Sequence, residues 1–198
     1  MTVPHSLGAS HWITLPDGRR LHYRRRDPIT SDGSDRPTVV FESGLGFSGS
    51  TWGSVAPAVA EQYSTVVYDR AGSGLSDDDT QPRTLERLAD DLGSLLGTLA
   101  GPFSLVGHSW GGPVVRTVAA REAQGVRGLV LVDPSDENVD AYFSPAVSSR
   151  MAAIGPLTML LARTGMYRWF ARIGRVQPED VYRDFRRDNF GLRGARQV

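Results

Sequence analysis

Short apolar runs alternate with helix-like segments through the first two thirds of the chain. The runs have the length of strands and are nearly continuous in apolar side chains, as is typical of strands buried on both faces of a parallel sheet. They are Pro37–Phe41, Thr65–Tyr68, Phe103–Val106 and Gly128–Val132. Because helix-like segments lie between them, the alternation predicts an α/β fold with a mostly parallel, doubly wound sheet.

Local turn and capping signals accompany this alternation. Pro16-Asp17-Gly18 lies between two strand-like runs, and Asp-Gly is typical of a tight hairpin turn. Thr84 precedes leucines that recur at helical spacing, and threonine is a preferred N-cap residue. We therefore expect a hairpin at the start of the domain and an amphipathic helix that begins after Thr84.

The chain changes character after Asp133, where only helix-like segments follow. Prolines and glycines interrupt this part, which is rich in leucine, methionine and aromatic residues. We predict a sheet core over residues 1–138 and a helical cap over residues 139–198. Additional core packing is the alternative role for the second unit.

Composition excludes several classes of function. The 22 basic residues, all arginine, balance 22 acidic residues, so a net charge of zero gives no basis for binding nucleic acid or an anionic membrane. The absence of lysine excludes a P-loop lysine and a Schiff base, and the absence of cysteine excludes disulfides and thiolate chemistry. No apolar stretch is long enough to cross a bilayer and no secretory signal follows Met1, so we expect a soluble cytoplasmic protein.

The pentapeptide Gly107-His108-Ser109-Trp110-Gly111 stands between a strand-like run and a helix-like segment with proline in its first turn. Glycines fit a tight strand-to-helix turn because such a turn leaves no room for Cβ atoms. The turn presents the Ser109 hydroxyl above its neighbours. The motif and its context therefore predict a nucleophilic serine.

A serine hydroxyl needs a base that accepts its proton, and in this order of catalytic residues the histidine follows the serine. The four histidines of the chain are His5, His11, His22 and His108, and none follows Ser109. Three explanations stay open. The chain is incomplete, a second chain supplies the base, or the site is a binding module without catalysis.

These motifs, in this order, resemble the α/β-hydrolase fold in its variant with a helical cap, from about Trp12 onward. The resemblance includes the loop Phe41–Gly46, in which Ser43 stands where the family usually has histidine. It also includes Asp69–Ser76, which matches the family's Asp-x-Arg-Gly-x-Gly-x-Ser loop with its arginine displaced by one position. We expect the second loop to turn the chain beside Ser109.

The resemblance implies roles for residues around Ser109. The backbone N–H groups of Leu45 and Trp110 would form the oxyanion hole, which side-chain changes do not remove. Gly44 and His108 would line the substrate site. His108 is adjacent to Ser109 but is expected to pack or line the pocket, because neighbouring residues of this turn point away from each other.

The acid of the catalytic triad is less well defined by the sequence. Asp133 and the nearby Asp136 follow the strand after the Ser109 helix, where some members of the family carry the acid. In most members the acid and the histidine lie on further strands, which the resemblance implies are missing here. We therefore expect a truncated chain or a second polypeptide that completes the sheet.

The activity implied is that of a serine hydrolase acting on ester or related acyl bonds of small to medium apolar substrates. It would use an acyl-enzyme on Ser109 and neither a cofactor nor a metal. Haloalkane dehalogenases and epoxide hydrolases share the fold but carry aspartate at this turn, so Ser109 argues against both. The alternatives are a non-catalytic module that binds a small ligand and one half of a two-chain enzyme.

Overall fold

The computed structural model describes residues 4–28, 36–121, 125–136, 139 and 144–196. Six strands within these residues form one sheet, in the order β1-β2-β4-β3-β5-β6. The strands are β1 (Ala9–Thr14), β2 (Arg20–Arg26), β3 (Thr38–Glu42), β4 (Thr65–Tyr68), β5 (Phe103–His108) and β6 (Val126–Val132).

Helices connect the strands and form the C-terminal part. The α-helices are α1 (Ala56–Val59), α2 (Leu85–Gly97), α3 (Gly111–Arg121), α4 (Pro145–Arg163), α5 (Glu179–Asn189) and α6 (Leu192–Ala195). Within the described ranges, 3₁₀ helices span Gly49–Ser54 and Met166–Val176. The Thr84 side chain accepts a hydrogen bond from Arg87 N, which confirms the predicted start of α2.

The parallel direction of four strands brings their carboxyl ends together at one edge of the sheet. Strands β4, β3, β5 and β6 are parallel, while β1 and β2 form the predicted hairpin and pair antiparallel to each other and to β4. The predicted α/β fold with a mostly parallel sheet is confirmed. Since parallel strands end at the same edge, the loops that follow β3, β4, β5 and β6 meet there.

Consecutive strand residues point into two different apolar clusters. Val40 and Leu105 pack with helices α2 and α3 on one face of the sheet. Their neighbours Phe41 and Val106 pack with Trp52 on the other face, in a cluster that also includes α5. Helices thus cover both faces, which is why these strands are apolar at successive positions.

Strand β6 differs from the other parallel strands. Among the described residues it pairs with β5 alone, and its apolar side chains are exposed on both faces. Leu129 is 39% exposed and Val130 is 52% exposed. The predicted strand is present, but its position at the edge of the sheet leaves it less buried than β3 or β5.

The described residues from 144 to 196 form helices and turns, and part of this segment belongs to the core. Val181 of α5 is fully buried and packs in the cluster of Phe41 and Trp52. The boundary at residue 139 stays a prediction, and residues 140–143 and 197–198 of the predicted cap lie outside the described residues. Within the described ranges, no helix combines the length and the apolar character that crossing a membrane requires.

The position of α2 in the core gives a stability prediction. Leu92 is fully buried among α2, α3 and the sheet, so Leu92→Ala should lower the free energy of unfolding by about 2–5 kcal/mol. Leu160→Ala is the matched control, because Leu160 is 59% exposed and should change this free energy by less than about 0.5 kcal/mol. Urea unfolding followed by circular dichroism measures both, and equal losses would contradict the described core.

Candidate active site

Ser109 occupies the turn between β5 and α3 in a backbone conformation that is uncommon for serine. Its φ is +50°, in the left-handed region that costs a residue with a Cβ atom about 1–3 kcal/mol. Ser109 is half-buried, and so are its neighbours His108 and Trp110. A sharp, strained turn of this kind lifts a serine side chain out of the strand.

The two glycines of the motif allow this turn because other backbone atoms lie where a Cβ would be. A Cβ on Gly107 would lie 2.6 Å from the carbonyl oxygen of Gly111 and 2.7 Å from Val115. A Cβ on Gly111 would lie 2.7 Å from the carbonyl oxygen of Glu42. The structure therefore supplies the steric reason for both glycines.

The loop after β3 lies beside Ser109. Glu42 pairs with Gly107 in the β3–β5 register, so the residues that follow each strand are neighbours. A Cβ on Gly44 would lie 3.0 Å from His108 Nδ1 and 3.3 Å from Ser109 Cβ. Gly44 is thus next to the predicted nucleophile, and Leu45 follows it with a side chain that is 41% exposed.

The two backbone N–H groups assigned to the oxyanion hole flank this contact. One belongs to Leu45 in the loop after β3, and the other belongs to Trp110 directly after Ser109. Neither donates a hydrogen bond to another described residue, so both are available as donors. The Trp110 side chain packs against the apolar cluster of α2 and α3.

His108 packs against Trp52 and lies near Gly44 of the loop after β3. Its ring lies edge-on to Trp52, with centroids 6.3 Å apart. Its Nδ1 is buried, contacts the backbone near Gly44 and has no hydrogen-bond partner among the described residues. These contacts are those of a packing residue, and a role of His108 in lining a substrate site stays a prediction.

Asp133 lies at the end of β6, next to the Ser109 turn. It also has a left-handed backbone, with φ of +42°, and it is exposed. Backbone bonds join the two turns on both sides of Asp133, from Ser109 N to Val132 O at 3.1 Å and from Ser135 N to Ser109 O at 3.0 Å. The described residues contain no side-chain hydrogen bond between Ser109 and Asp133.

The other three histidines are engaged away from Ser109. His5 lies 3.1 Å from Asp184 of α5, and His11 stacks on Tyr23 in the hairpin. His22 is buried, with Nδ1 2.9 Å from Asp69 Oδ2 and Nε2 2.7 Å from Ser10 Oγ. No histidine of the chain is therefore placed as a base for Ser109 by these contacts.

Asp69 fixes the loops on either side of β4. Its carboxylate accepts hydrogen bonds from Gly49 N at 2.9 Å and Leu75 N at 3.1 Å, in addition to its contact with His22. The glycine-rich loop from Asp69 to Ser76 thus folds back on its own first residue. It turns the chain at the carboxyl edge of the sheet, and its expected position beside Ser109 stays a prediction.

Sequence reasoning missed a buried ionic cluster beside the site. The Glu42 carboxylate accepts hydrogen bonds from the Tyr68 hydroxyl and from Arg70 Nε. The available signal was a glutamate that ends an otherwise apolar strand, together with an arginine one position from its usual place in the next loop.

The profile of a known family covers most of the residues just described. It is the profile of the alpha/beta hydrolase family, and it matches residues 39–197. The chain belongs to the alpha/beta hydrolase family. The match begins in β3 and includes the loop after it, the Ser109 turn and the helical segment.

Individual curated proteins are similar to part of this chain. YqjL of Bacillus subtilis is 32% identical over 121 residues, which are 60% of this chain and 46% of that protein. The 2-(acetamidomethylene)succinate hydrolase of Mesorhizobium japonicum is 28% identical over 134 residues, 67% of this chain and 47% of that protein. The chain thus spans about half the length of these curated relatives.

A solved structure shows the same fold. The epoxide hydrolase CorEH superimposes with a TM-score of 0.71 at 22% identity, over 96% of this chain and 71% of that one. At this identity the similarity concerns the fold alone. It places the six-stranded sheet and the helical segment of this alpha/beta hydrolase within an architecture that has already been solved.

The Gly107 contact gives a prediction for the turn. Gly107→Ala should destabilise the fold by about 1–3 kcal/mol, because its Cβ would press on the backbone of α3. Gly97→Ala is the matched control at the end of α2, where nothing lies within 4 Å, and it should be neutral or stabilising by up to about 1 kcal/mol. Urea midpoints decide, and an unchanged midpoint for Gly107→Ala would contradict the packing.

The environment of Asp188 in α5 predicts a dependence of stability on pH. Burial raises the pKa of Asp188 to about 6, Arg187 opposes the shift and Asp69 reinforces it. The folded state therefore holds this proton up to pH near 6, whereas the unfolded chain releases it near its ordinary pKa of about 3.9. The stability due to this proton is full below pH 4 and is lost as pH rises through 6.

Asp188→Asn removes this titration. Relative to the unsubstituted protein, the variant should gain about 2 kcal/mol in free energy of unfolding between pH 4 and pH 7.5. Asp184→Asn is the control, because burial of Asp184 is outweighed by His5 and two arginines, which lower its pKa and give no such gain. Urea unfolding at both pH values measures the difference, and parallel curves for the two variants would refute the prediction.

Proposed function

We propose that this alpha/beta hydrolase cleaves ester or related acyl bonds through a covalent acyl-enzyme on Ser109. The observation that carries the proposal is the strained strand-to-helix turn at Ser109, near two backbone N–H groups that have no acceptor among the described residues. A serine held in this way has the geometry of a nucleophile next to an oxyanion hole.

The reaction follows the steps of acyl transfer. Ser109 Oγ attacks the carbonyl carbon while a base takes its proton, and the Leu45 and Trp110 amides stabilise the oxyanion. The tetrahedral intermediate collapses, the bond to the leaving group breaks, and the base returns the proton to that group. Water, deprotonated by the same base, then hydrolyses the acyl-enzyme and restores the Ser109 hydroxyl.

The base is proposed to come from outside these 198 residues. None of the four histidines has a hydrogen bond to Ser109 in the part of the chain that the structure describes, and the chain contains no lysine. Strand β6 offers an exposed edge and ends at Val132, directly before Asp133, so further parallel strands pairing there would place their own carboxyl ends beside the site. A continuation of the chain or a second polypeptide fits this edge equally well.

Asp133 is the proposed acid that orients this histidine. Its support is its place at the end of the strand adjacent to β5, joined to the Ser109 turn by backbone hydrogen bonds. Asp136, three residues later, is the alternative. The substrate is proposed to be apolar and of small to medium size, because Gly44, His108 and the exposed Leu45 border the site.

The second candidate is a hydrolase-like module that binds a small ligand without catalysis. The position of the histidines favours it, since a serine without a base is a weak nucleophile. The name of the Mesorhizobium relative favours the enzyme, because it describes hydrolysis. Reactivity of Ser109 separates the two candidates.

The test is the intact mass of the protein, purified from the cells that make it, before and after reaction with a fluorophosphonate. We expect one label per chain, loss of the label in Ser109→Ala, and loss of esterase activity by about 10⁶-fold or to the detection limit. Ser104→Ala, in the same strand, is the control that should keep both. The same spectrum shows whether a longer chain or a second polypeptide accompanies the reactive form.

Two outcomes would contradict the proposal. A folded protein that takes up no label in any form isolated from the cell would favour the binding module. Labelling that persists in Ser109→Ala would mean that another residue is the nucleophile.

A further inference from the structure

A buried ion pair lies at the carboxyl ends of β3 and β4, next to the Ser109 turn. Glu42 is fully buried and Arg70 is 8% exposed. Arg70 Nε donates to one carboxylate oxygen of Glu42, and the Tyr68 hydroxyl donates to the other. Because Glu42 pairs with Gly107 in the sheet, the pair sits one strand away from the motif of the proposed nucleophile.

An ion pair in this position needs a reason other than stability. Removing two charges from water costs several kcal/mol each, and apolar residues of similar volume often stabilise a core as well or better. Burial and the Glu42 carboxylate raise the pKa of Tyr68 well above its ordinary value, so its hydroxyl stays protonated as a donor. Both oxygens of the Glu42 carboxylate therefore accept a hydrogen bond, and its geometry is fixed from two sides.

One nitrogen of the Arg70 guanidinium forms a hydrogen bond outside the cluster. Its Nη2 donates to the carbonyl oxygen of Gly44 at 3.0 Å, an oxygen that also accepts from Phe47 N at 3.3 Å. The Gly44 carbonyl and the Leu45 N–H are the two ends of one peptide unit, which is planar and rigid. Holding the oxygen therefore sets the direction in which the Leu45 N–H points.

We infer that Arg70 is a positioning residue for the oxyanion hole, which it orients by holding the Gly44–Leu45 peptide from the side opposite to the N–H. This inference rests on the proposed function of Ser109. A cation on the carbonyl oxygen also polarises the peptide and strengthens the Leu45 N–H as a donor. Glu42 and Tyr68 hold Arg70 in place and do not touch the substrate.

The two departures from the family pattern noted in the sequence both concern how the loop after β3 is held. The arginine displaced by one position is Arg70, and the loop it holds contains Ser43 in place of the usual histidine. The Ser43 hydroxyl donates to the carbonyl oxygen of Ser48 at 3.0 Å, so it closes the loop internally. Arg70 then supplies the attachment between this loop and the body of the sheet.

Arginine suits this task better than lysine. Its planar guanidinium bonds Glu42 through Nε and Gly44 through Nη2 at the same time, in fixed relative directions. The ammonium group of a lysine would keep the positive charge, but it is a compact group and lacks the two donors in fixed relative directions. Arg70→Lys therefore retains a partner for Glu42 and loosens the peptide that carries the donor.

The experiment compares Arg70→Lys and Arg70→Gln with the unsubstituted protein, in the form that fluorophosphonate labels. We expect kcat and the rate of labelling to fall in parallel, by about 10- to 100-fold, less than the loss of a whole donor. KM should stay within about threefold, because the donor acts on charge that develops in the transition state. Thermal melts establish that each variant is folded, and Arg70→Lys decides if Arg70→Gln does not fold.

Arg19→Gln is the matched control. Arg19 belongs to a separate buried cluster, in which its Nη1 lies 3.0 Å from Asp79 and its Nη2 lies 2.8 Å from Asp91. Its loss should lower the melting temperature and leave kcat and the labelling rate unchanged. This contrast separates positioning from a general loss of buried charge.

The outcomes are distinct. Folded Arg70→Lys with unchanged kcat and labelling rate would overturn the inference, and so would a rise in KM alone or an equal loss of kcat in Arg19→Gln. If the unsubstituted protein is not labelled at Ser109, the proposed function fails first and the inference fails with it. A fall in kcat and labelling confined to the Arg70 variants supports it.

Discussion

The packing of three backbone segments around Ser109, at distances that exclude a Cβ atom, is the constraint on which the rest of the site depends. The turn itself is narrow at Gly107 and Gly111, and the loop after β3 approaches it through Gly44. This close approach brings the backbone of the loop after β3 next to the Ser109 turn. Strand β5 fixes one end of the turn and helix α3 follows the other, while backbone hydrogen bonds from Ser109 N to Val132 O and from Ser135 N to Ser109 O hold the left-handed residue itself.

Charged groups, buried between the loops, hold that edge of the sheet. Asp69 attaches the loops on either side of β4 through the backbone amides of Gly49 and Leu75. The Asn189 side chain of α5 accepts a hydrogen bond from Ser48 N at 2.6 Å. The helical segment is thus bonded to the loop after β3, which links the part of the chain beyond the sheet to the site.

The predicted fold was largely readable from local signals. The hairpin, the parallel strands, the start of α2 and the Ser109 turn each follow from periodicity, capping or glycine sterics within a few residues. Whether Ser109, Leu45, Trp110 and Asp133 act as predicted stays with the proposal, although the structure places them at adjacent strand ends.

The ionic clusters could not be read in the same way, because their partners are far apart in the sequence. Arg70 and Glu42 are 28 residues apart, and Asp69 and His22 are 47 apart. The sequence by itself determined the class of fold and the turn that presents Ser109, since both depend on properties of neighbouring residues. The tertiary structure alone decided which carboxylates meet which cations and which carbonyl Arg70 holds, because strand order and register bring those groups together.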